Sequence, residues 1–299
     1  MKILSFGSMN IDNTYSVDEF VQPGETMTAK NLSKFCGGKG LNQSIALASA
    51  GADVAHFGCV GEDGDILLDM LKSRGVNTDS VIKIDNITSG HAIIQVDSHG
   101  QNSILLYPGA NHRMTPELID RELEKYSCGD WLLIQNETNC LEYIMRAANK
   151  KGMKIAFNPS PMDGTVSGLP LELVDLFLVN EIEGAAVTGK EITEEITAEF
   201  EKLFPNAAVI LTLGKKGSIF KSEKDMLFQP SYCGTVKDTT GAGDTYTGFF
   251  IANYIKGVSP QECMRIAAMA STVQISRDGA AIAIPTKQEV LNALKNHCR

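Results

Sequence analysis

The chain has 299 residues, 43% of them hydrophobic, enough to bury one large core or two modest ones. Its formal net charge of −9 argues against a nucleic-acid partner or an anionic membrane surface. Seven cysteines, an odd number with no C-x-x-C spacing, are typical of reduced thiols rather than disulfides or a zinc site. No apolar run approaches about 18 residues, and the chain opens directly on a strand pattern, so we expect a cytoplasmic protein.

Short apolar runs alternate with stretches of helical spacing along most of the chain. The runs predict strands at Ile3–Phe6, Val54–Cys59, Trp131–Ile134, Ile155–Phe157, Leu176–Val179 and Ala208–Thr212. The helical stretches are Asn42–Ala50, Gly64–Ser73, Leu141–Lys150, Thr245–Ile255, Pro260–Ile275 and Pro285–Lys295. This alternation indicates an α/β fold with a mostly parallel sheet and helices on both faces.

Two regions, Ile11–Cys36 and His91–Tyr107, interrupt the alternation. In the second, two apolar runs flank Asp97–Asn102, which predicts a β-hairpin with Gly100 in its turn. Antiparallel strands that project from a parallel sheet suggest a small lid, with bounds near residues 12–36 and 91–108. No repeat or linker divides the chain, so we expect a single domain over residues 1–299 with this lid inserted in it.

The strongest chemical pattern is the run from Asp238 to Gly248, whose centre is Gly241-Ala242-Gly243-Asp244. Its small residues allow backbone amides to converge at the start of the next helix, where they would form an anion hole. Asp244, at the helix start, is suited to accept a proton from an attacking hydroxyl group. A glycine turn with Asp244 as a helix cap fits the same run, and both interpretations stay open.

Two further patterns are suited to binding hydroxyl groups. In the run Gly37–Asn42 the glycines allow close approach of a ligand, and Lys39 and Asn42 offer donors, although a plain loop fits as well. Asn10 and Asp12 follow the first strand, and the ends of parallel strands lie at the ligand edge of a sheet. An Asx-turn explains that pair equally.

Two patterns are suited to a nucleotide and its metal ion. Asn180 and Glu183 share one face of a helical turn, where hard oxygen atoms suit Mg²⁺ held through water; an N-cap with a capping box explains them too. The segment 212–217 combines a strand end with a glycine turn that could contact nucleotide phosphates or form a plain hairpin. Gly184–Lys190 is not a P-loop, because Glu191 stands where Ser or Thr must ligate Mg²⁺.

In their order and spacing these patterns resemble the ribokinase-like (PfkB) carbohydrate kinase family, nearly end to end from Gly7 to Pro285. The resemblance implies a three-layer sandwich with a small β-sheet lid. It also implies transfer of a phosphoryl group from ATP to a primary sugar hydroxyl, most closely that of D-ribose to give ribose 5-phosphate.

Carried over residue by residue, the resemblance implies four groups of site residues. The sugar would be bound by Asn10, Asp12, Gly38, Lys39, Asn42, Glu137 and Asp244. ATP would be bound by Asn180, Thr212, Leu213, Gly214, Lys215, Lys216, Gly217 and Gly243, with Glu183 serving Mg²⁺. Asp244 would be the base and Gly241, Ala242 and Gly243 the anion hole. A monovalent cation, K⁺, would be held mostly by backbone carbonyls of Asp238, Thr240, Gln274, Arg277, Gly279 and Ala283, where Ala283 replaces the family's small polar residue.

The alternatives are another family member or a silent relative. A ketodeoxy sugar acid would need an arginine, and a nucleoside an apolar shelf, and neither is evident; fructose is a further possible substrate. A sugar-binding regulator should have lost the base or a glycine of the anion hole, yet Asp244, Gly241 and Gly243 are present. Exposed lid strands predict a homodimer that pairs lid to lid.

Overall fold

The computed structural model describes residues 1–297. The strands, in chain order, are β1 Ile3–Phe6, β2 Asn10–Ser16, β3 Asn31–Gly37, β4 Val54–Val60, β5 Val81–Lys83, β6 Gly90–Val96, β7 Asn102–Tyr107, β8 Trp131–Gln135, β9 Lys154–Asn158, β10 Leu176–Asn180, β11 Ala208–Thr212, β12 Ser218–Lys221 and β13 Met226–Gln229. Nine of them form one sheet, in the order β13-β12-β11-β10-β9-β8-β1-β4-β5. It is parallel from β5 to β11 and antiparallel at β12 and β13, which confirms the predicted, mostly parallel sheet.

Helices cover both faces of this sheet. They are α1 Lys39–Ser49, α2 Asp65–Ser73, α3 Pro116–Leu123, α4 Leu141–Lys150, α5 Glu181–Thr188, α6 Thr193–Leu203, α7 Ala242–Tyr254, α8 Pro260–Ile275 and α9 Lys287–His297. Helices α1, α2, α7, α8 and α9 pack on one face, and α3, α4, α5 and α6 on the other. The result is the expected three-layer sandwich. Within residues 1–297 no helix is both long enough and apolar enough to cross a bilayer.

Strand β8 shows why continuous apolar runs fold as central strands. Trp131 and Leu133 belong to the core under α1 and α7, whereas Leu132 and Ile134 belong to the core under α4. Successive side chains point to opposite faces, and both faces are covered, so the four positions from Trp131 to Ile134 are all apolar. Burial of each such leucine or isoleucine stabilises the fold by about 1.5–3 kcal/mol.

Close backbone packing brings the two glycine-rich runs together. A Cβ atom at Gly248 of α7 would lie 2.3 Å from the Cβ of Ala46 in α1. A Cβ at Gly40 of α1 would lie 2.6 Å from the Cα of Gly7, just after β1. Glycine at these positions therefore lets α1 contact both β1 and α7, which places the first turns of α1 and α7 side by side.

A second sheet of four strands, in the order β3-β2-β6-β7, stands apart from the main one. The predicted hairpin is present as the antiparallel pair β6–β7, and β2–β3 is antiparallel as well. The expectation of antiparallel strands fails for β2 and β6, which pair in parallel from Asn10 opposite Gly90. Both strands leave the main body at the same edge and run outward, so they must share a direction.

Candidate active site

Helix α7 begins at the predicted anion-hole segment. Gly241 is its N-cap, with a positive φ of 78° that glycine adopts without strain, and Ala242, Gly243 and Asp244 form the first turn. This turn begins three residues before the predicted helix. N–H groups of a first helical turn have no partner within the helix, so those that find no other acceptor can bind an anion. The Ala242 N–H donates to the Thr239 carbonyl at 3.2 Å, which leaves the N–H groups of Gly241 and Gly243 for an anion. Gly241, Ala242 and Gly243 line a cavity of about 220 Å³.

Two side-chain amides hold the buried carboxylate of Asp244. Asn42 Nδ2 donates to Oδ2 at 3.0 Å, and Gln43 Nε2 donates to Oδ1 at 2.9 Å. Asp244 therefore is not the helix cap; that position belongs to Gly241, and no side chain caps the helix. The carboxylate faces the cavity with its orientation set by neutral donors from the first turns of α1.

A second acidic group lies beside Lys39. Glu137 Oε2 accepts from the Lys39 backbone N–H at 3.0 Å and from the hydroxyl of Ser8. Burial raises the pKa of Asp12 to about 7, and the nearby charge of Glu137 adds to this shift. Burial alone would lower the pKa of Lys39, but the carboxylates of Asp244, Glu137 and Glu183 raise it above its usual value. Lys39 is thus a cation among carboxylates at the cavity wall.

Asn10 and Asp12 lie where the small sheet meets the main body. Asn10 Oδ1 accepts from Asn111 Nδ2 at 2.8 Å, and Asn111 Oδ1 accepts from the Met9 N–H at 3.0 Å. The Asp12 carboxylate lies over Gly37, where an added Cβ would come within 2.0 Å of Oδ2. The Asn10 side chain is therefore held by Asn111 rather than by an Asx-turn.

Asn180 and Glu183 form the capping box that the sequence left as one of two interpretations. Glu183 N–H donates to Asn180 Oδ1 at 2.9 Å, and Asn180 N–H donates to Glu183 Oε2 at 3.0 Å. Both residues also line the cavity. The capping hydrogen bond to the Glu183 carboxylate is accepted by Oε2. It fixes the orientation of the carboxylate and leaves Oε1 without a capping contact.

Strand β11 ends at Thr212, which lines the same cavity. The following residues, Leu213, Gly214, Lys215, Lys216 and Gly217, form a turn of 3₁₀ type that leads into β12. Gly214 and Gly217 have positive φ values of 54° and 123°, and the turn is closed by Leu213 N–H donating to Gly217 O at 2.8 Å. Thr212 thus reaches the cavity, whereas residues 213–217 form a hairpin turn beyond its wall.

Comparison with known proteins decides the family. The sequence pattern that defines the pfkB family carbohydrate kinases matches residues 1–287. The ribokinase of Haemophilus influenzae is 33% identical over 298 residues, 97% of each chain. The structure of Thermotoga maritima ribokinase matches with a TM-score of 0.88 and 31% identity, over 98% of this chain and 99% of that one. Arabidopsis thaliana ribokinase complexed with ribose and ATP matches with a TM-score of 0.85 and 29% identity, over 98% of each.

The chain belongs to the pfkB family of carbohydrate kinases. It is a phosphotransferase that acts on a sugar hydroxyl group, as the family resemblance in the sequence implied.

A central group of the predicted site residues of this kinase meets in one place. Those that line the cavity are Lys39, Asn180, Glu183, Thr212, Gly241, Ala242, Gly243 and Asp244. Asn42 is linked to this group by its hydrogen bond to Asp244, and Glu137 by the hydrogen bond that it accepts from the Lys39 N–H. Gly38 is the N-cap of α1, with a φ of 92° that requires glycine. Among the predicted cation ligands, Asp238, Thr240, Gln274 and Gly279 contact one another behind the anion-hole segment.

Sequence reasoning missed a chain of buried amides behind the base. Gln43 Nε2 donates to Asn158 Oδ1 at 2.9 Å as well as to Asp244, and Gln43 Oε1 accepts from Gln135 Nε2 at 2.8 Å. Asn158 Nδ2 also lies 3.5 Å from Glu183 Oε2. Asn158 and Gln135 are the last residues of strands β9 and β8. Polar residues at the ends of parallel strands lie at the ligand edge of a sheet, so the same rule that pointed to Asn10 would have found them.

Proposed function

We propose that this kinase transfers the γ-phosphoryl group of ATP to the primary hydroxyl of D-ribose, giving ribose 5-phosphate, with Asp244 as the general base. The carrying observation is the juxtaposition of a held, buried carboxylate with the N–H groups of Gly241 and Gly243 at the start of α7, which have no backbone acceptor among the described residues. Phosphoryl transfer needs an oriented nucleophile and donors for the charge on the transferring group, and these two features supply them.

The proton and phosphoryl steps follow from this geometry. The sugar hydroxyl gives its proton to Asp244 as its oxygen attacks phosphorus. The bond from the γ-phosphorus to the β–γ bridging oxygen breaks, and ADP leaves with the electron pair. The N–H groups of Gly241 and Gly243 donate to the equatorial oxygens, and Lys39 at the cavity wall adds a positive charge.

The polar wall around Lys39 supports a neutral, polyhydroxylated substrate. Asn10, Asp12, Glu137 and Asn42 supply carboxylate and amide groups suited to sugar hydroxyls, and the Gly38 backbone lies beside them. The resemblance to a ribokinase complexed with ribose and ATP supports ribose over other sugars.

The nucleotide would lie over Asn180 and the turn from Thr212 to Gly217, with its γ-phosphate toward Gly243. Glu183 fits a Mg²⁺ ion bound through water, because its buried carboxylate faces the cavity and only Oε2 carries the capping contacts. The described residues form no cluster of three acidic, histidine or cysteine side chains. This suits Mg²⁺, which is commonly held by one or two carboxylates together with substrate phosphates and water. When bound, the ion would neutralise phosphate charge.

We further propose that the small sheet acts as a lid over the sugar, within residues 12–36 and 91–108, and that two lids pair in a homodimer. Edge strand β7 exposes every side chain, including Ile104, Leu105, Leu106 and Tyr107. Exposed apolar edge strands are usually covered in native proteins. Light scattering on the purified protein should give twice the chain mass; a monomer at working concentration would contradict pairing.

The cytoplasm is the proposed compartment, since it supplies ATP and suits the six free cysteines of the described region. A requirement for K⁺ is not part of this proposal, because two of the carbonyls predicted to hold the ion, those of Thr240 and Gly279, accept from the side-chain amide of Gln274.

The test of the substrate is an ADP-release assay over a panel of ribose, deoxyribose, fructose, a ketodeoxy sugar acid and a nucleoside. Ribose should give the highest kcat/KM, and phosphorus NMR should place the phosphate on the primary hydroxyl. A higher kcat/KM for another compound of the panel would make that compound the assigned substrate instead of ribose. If no sugar is turned over, the proposal as a whole is contradicted.

A further inference from the structure

The segment that precedes α7 packs against the end of α8, at the position where the family resemblance implied K⁺. Four of the six implied ligands, Asp238, Thr240, Gln274 and Gly279, contact one another directly. Arg277 is turned to Glu289, with which it pairs at 2.5 Å. Whether these residues fit a cation depends on whether their oxygen atoms are available.

Several oxygen atoms of the set already accept hydrogen bonds from the protein, namely the Asp238 carboxylate and the carbonyls of Thr240, Gln274 and Gly279. Asp238 Oδ1 accepts from the Thr240 N–H at 2.8 Å, and Asp238 Oδ2 accepts from the Gly279 N–H at 3.0 Å. The carbonyl oxygens of Thr240 and Gly279 both face Gln274 Nε2, at 2.6 and 3.3 Å. A hard cation is held by converging oxygen atoms, and here an amide nitrogen stands where two of them converge.

The orientation of the Gln274 amide follows from its partners. A backbone carbonyl can only accept, so the nitrogen and not the oxygen must face Thr240 and Gly279. Gln274 is fully buried, and its Oε1 atom has no hydrogen-bond partner among the described residues. The side chain is thus placed for its two N–H donors. At the far side of the site Ala283 offers no hydroxyl group, which removes another oxygen ligand.

Holding the Thr240 carbonyl also orients the anion hole. The peptide bond between Thr240 and Gly241 is planar, so its C=O and N–H groups point in opposite directions. When Gln274 draws the Thr240 oxygen toward α8, the Gly241 N–H is turned away from α8. Gly241 is the N-cap of α7 and lines the cavity.

We propose that the side-chain amide of Gln274 takes the place of the monovalent cation, so that this kinase works without K⁺. The inference rests on the proposed function of the Gly241–Gly243 amides. Two neutral N–H groups do what the ion would do: they bind the Thr240 and Gly279 carbonyls and fix the segment that leads into α7. The residues therefore do not fit K⁺ as a required partner.

The test compares phosphorylation rates in tetramethylammonium and potassium salts of equal ionic strength, with Mg²⁺ and a potassium-free ATP salt. The wild-type rate should differ by less than about twofold, or about 0.4 kcal/mol. Gln274→Ala should lose about tenfold in rate without K⁺, equal to about 1.4 kcal/mol, and should regain activity when K⁺ is added. Gln261→Ala, the same change at the exposed start of α8, is the matched control and should show neither effect.

Thermal unfolding gives a readout that does not depend on catalysis. K⁺ should raise the unfolding temperature of Gln274→Ala, because a ligand that binds only the native state stabilises it, and should leave the wild type unchanged. If Gln274→Ala does not fold, Gln274→Met keeps the volume while removing the donors. Strong activation or thermal stabilisation of the wild type by K⁺ would overturn the inference. Failure of the Asp244 assignment would leave this thermal comparison intact, so the two outcomes are distinguishable.

Discussion

Gln43 is expected to position the base, and Gln43→Met tests this. The amide of Gln43 is fully buried and makes three hydrogen bonds, of which one reaches Asp244 at 2.9 Å. Its orientation is fixed from behind: Asn158 Nδ2 donates to the Leu178 carbonyl, so Asn158 Oδ1 faces Gln43 and must meet a donor. The nitrogen of Gln43 therefore faces both Asn158 and Asp244.

Methionine has a similar volume and no donor, so the variant leaves the Asp244 carboxylate with the Asn42 contact alone. One lost hydrogen bond to a charged group corresponds to about 1.5–3 kcal/mol, or roughly 10- to 100-fold in kcat. The KM for sugar should change little.

Stopped-assay kinetics measure the kcat and the KM for sugar of each variant, and denaturant unfolding measures its stability. Gln135→Met is the matched control, because Gln135 is equally buried and bonds to Gln43 but does not touch Asp244. Both variants should lose stability, since each leaves a buried polar partner unpaired, at about 1–3 kcal/mol for each such group. A kcat that is unchanged in Gln43→Met, or lowered equally in Gln135→Met, would refute a positioning role.

Two further predictions concern the sugar site and the packing of the glycine runs. With a pKa of about 7, Asp12 is protonated below that pH and ionised above it, so the KM for sugar should fall as pH rises through 7. Asp12→Asn should abolish this pH dependence of the KM. If the variant shows the same pH dependence as the wild type, a group other than Asp12 is responsible for it. Gly248→Ala should destabilise the fold by about 1–3 kcal/mol in denaturant unfolding, because its Cβ would overlap Ala46. A variant as stable as the wild type would show that α1 and α7 can separate without cost.

The sequence predicts best where a residue's environment is uniform. Strands β1 and β11 have the predicted bounds, because their residues are buried on both faces and form continuous apolar runs. The short strands β13, at the sheet edge, and β12, beside it, were not predicted. Four residues, half exposed in β13, carry too weak an apolar pattern to be recognised.

The site divides in the same way. The glycine pattern predicted the anion-hole segment and Asp244, because small residues at the start of a helix can be recognised from a short stretch of sequence. The partner of Asp244, Gln43, lies 201 residues away in sequence, and nothing near Asp244 indicates it. Gln274 shows the complementary limit. The family resemblance implied that the Gln274 backbone carbonyl would bind a cation, whereas in the structure its side-chain amide donates to the Thr240 carbonyl.

The most direct test of the central assignment is the turnover of Asp244→Asn. The change keeps the shape of the side chain, and the unpaired Oδ1 of Asn42 can turn to accept from the new amide, so the fold should persist. We predict a loss of about 10²- to 10⁴-fold in kcat, the range for removal of a general base, with sugar affinity by calorimetry close to that of the wild type. Turnover near the wild-type rate in a correctly folded variant would contradict the account.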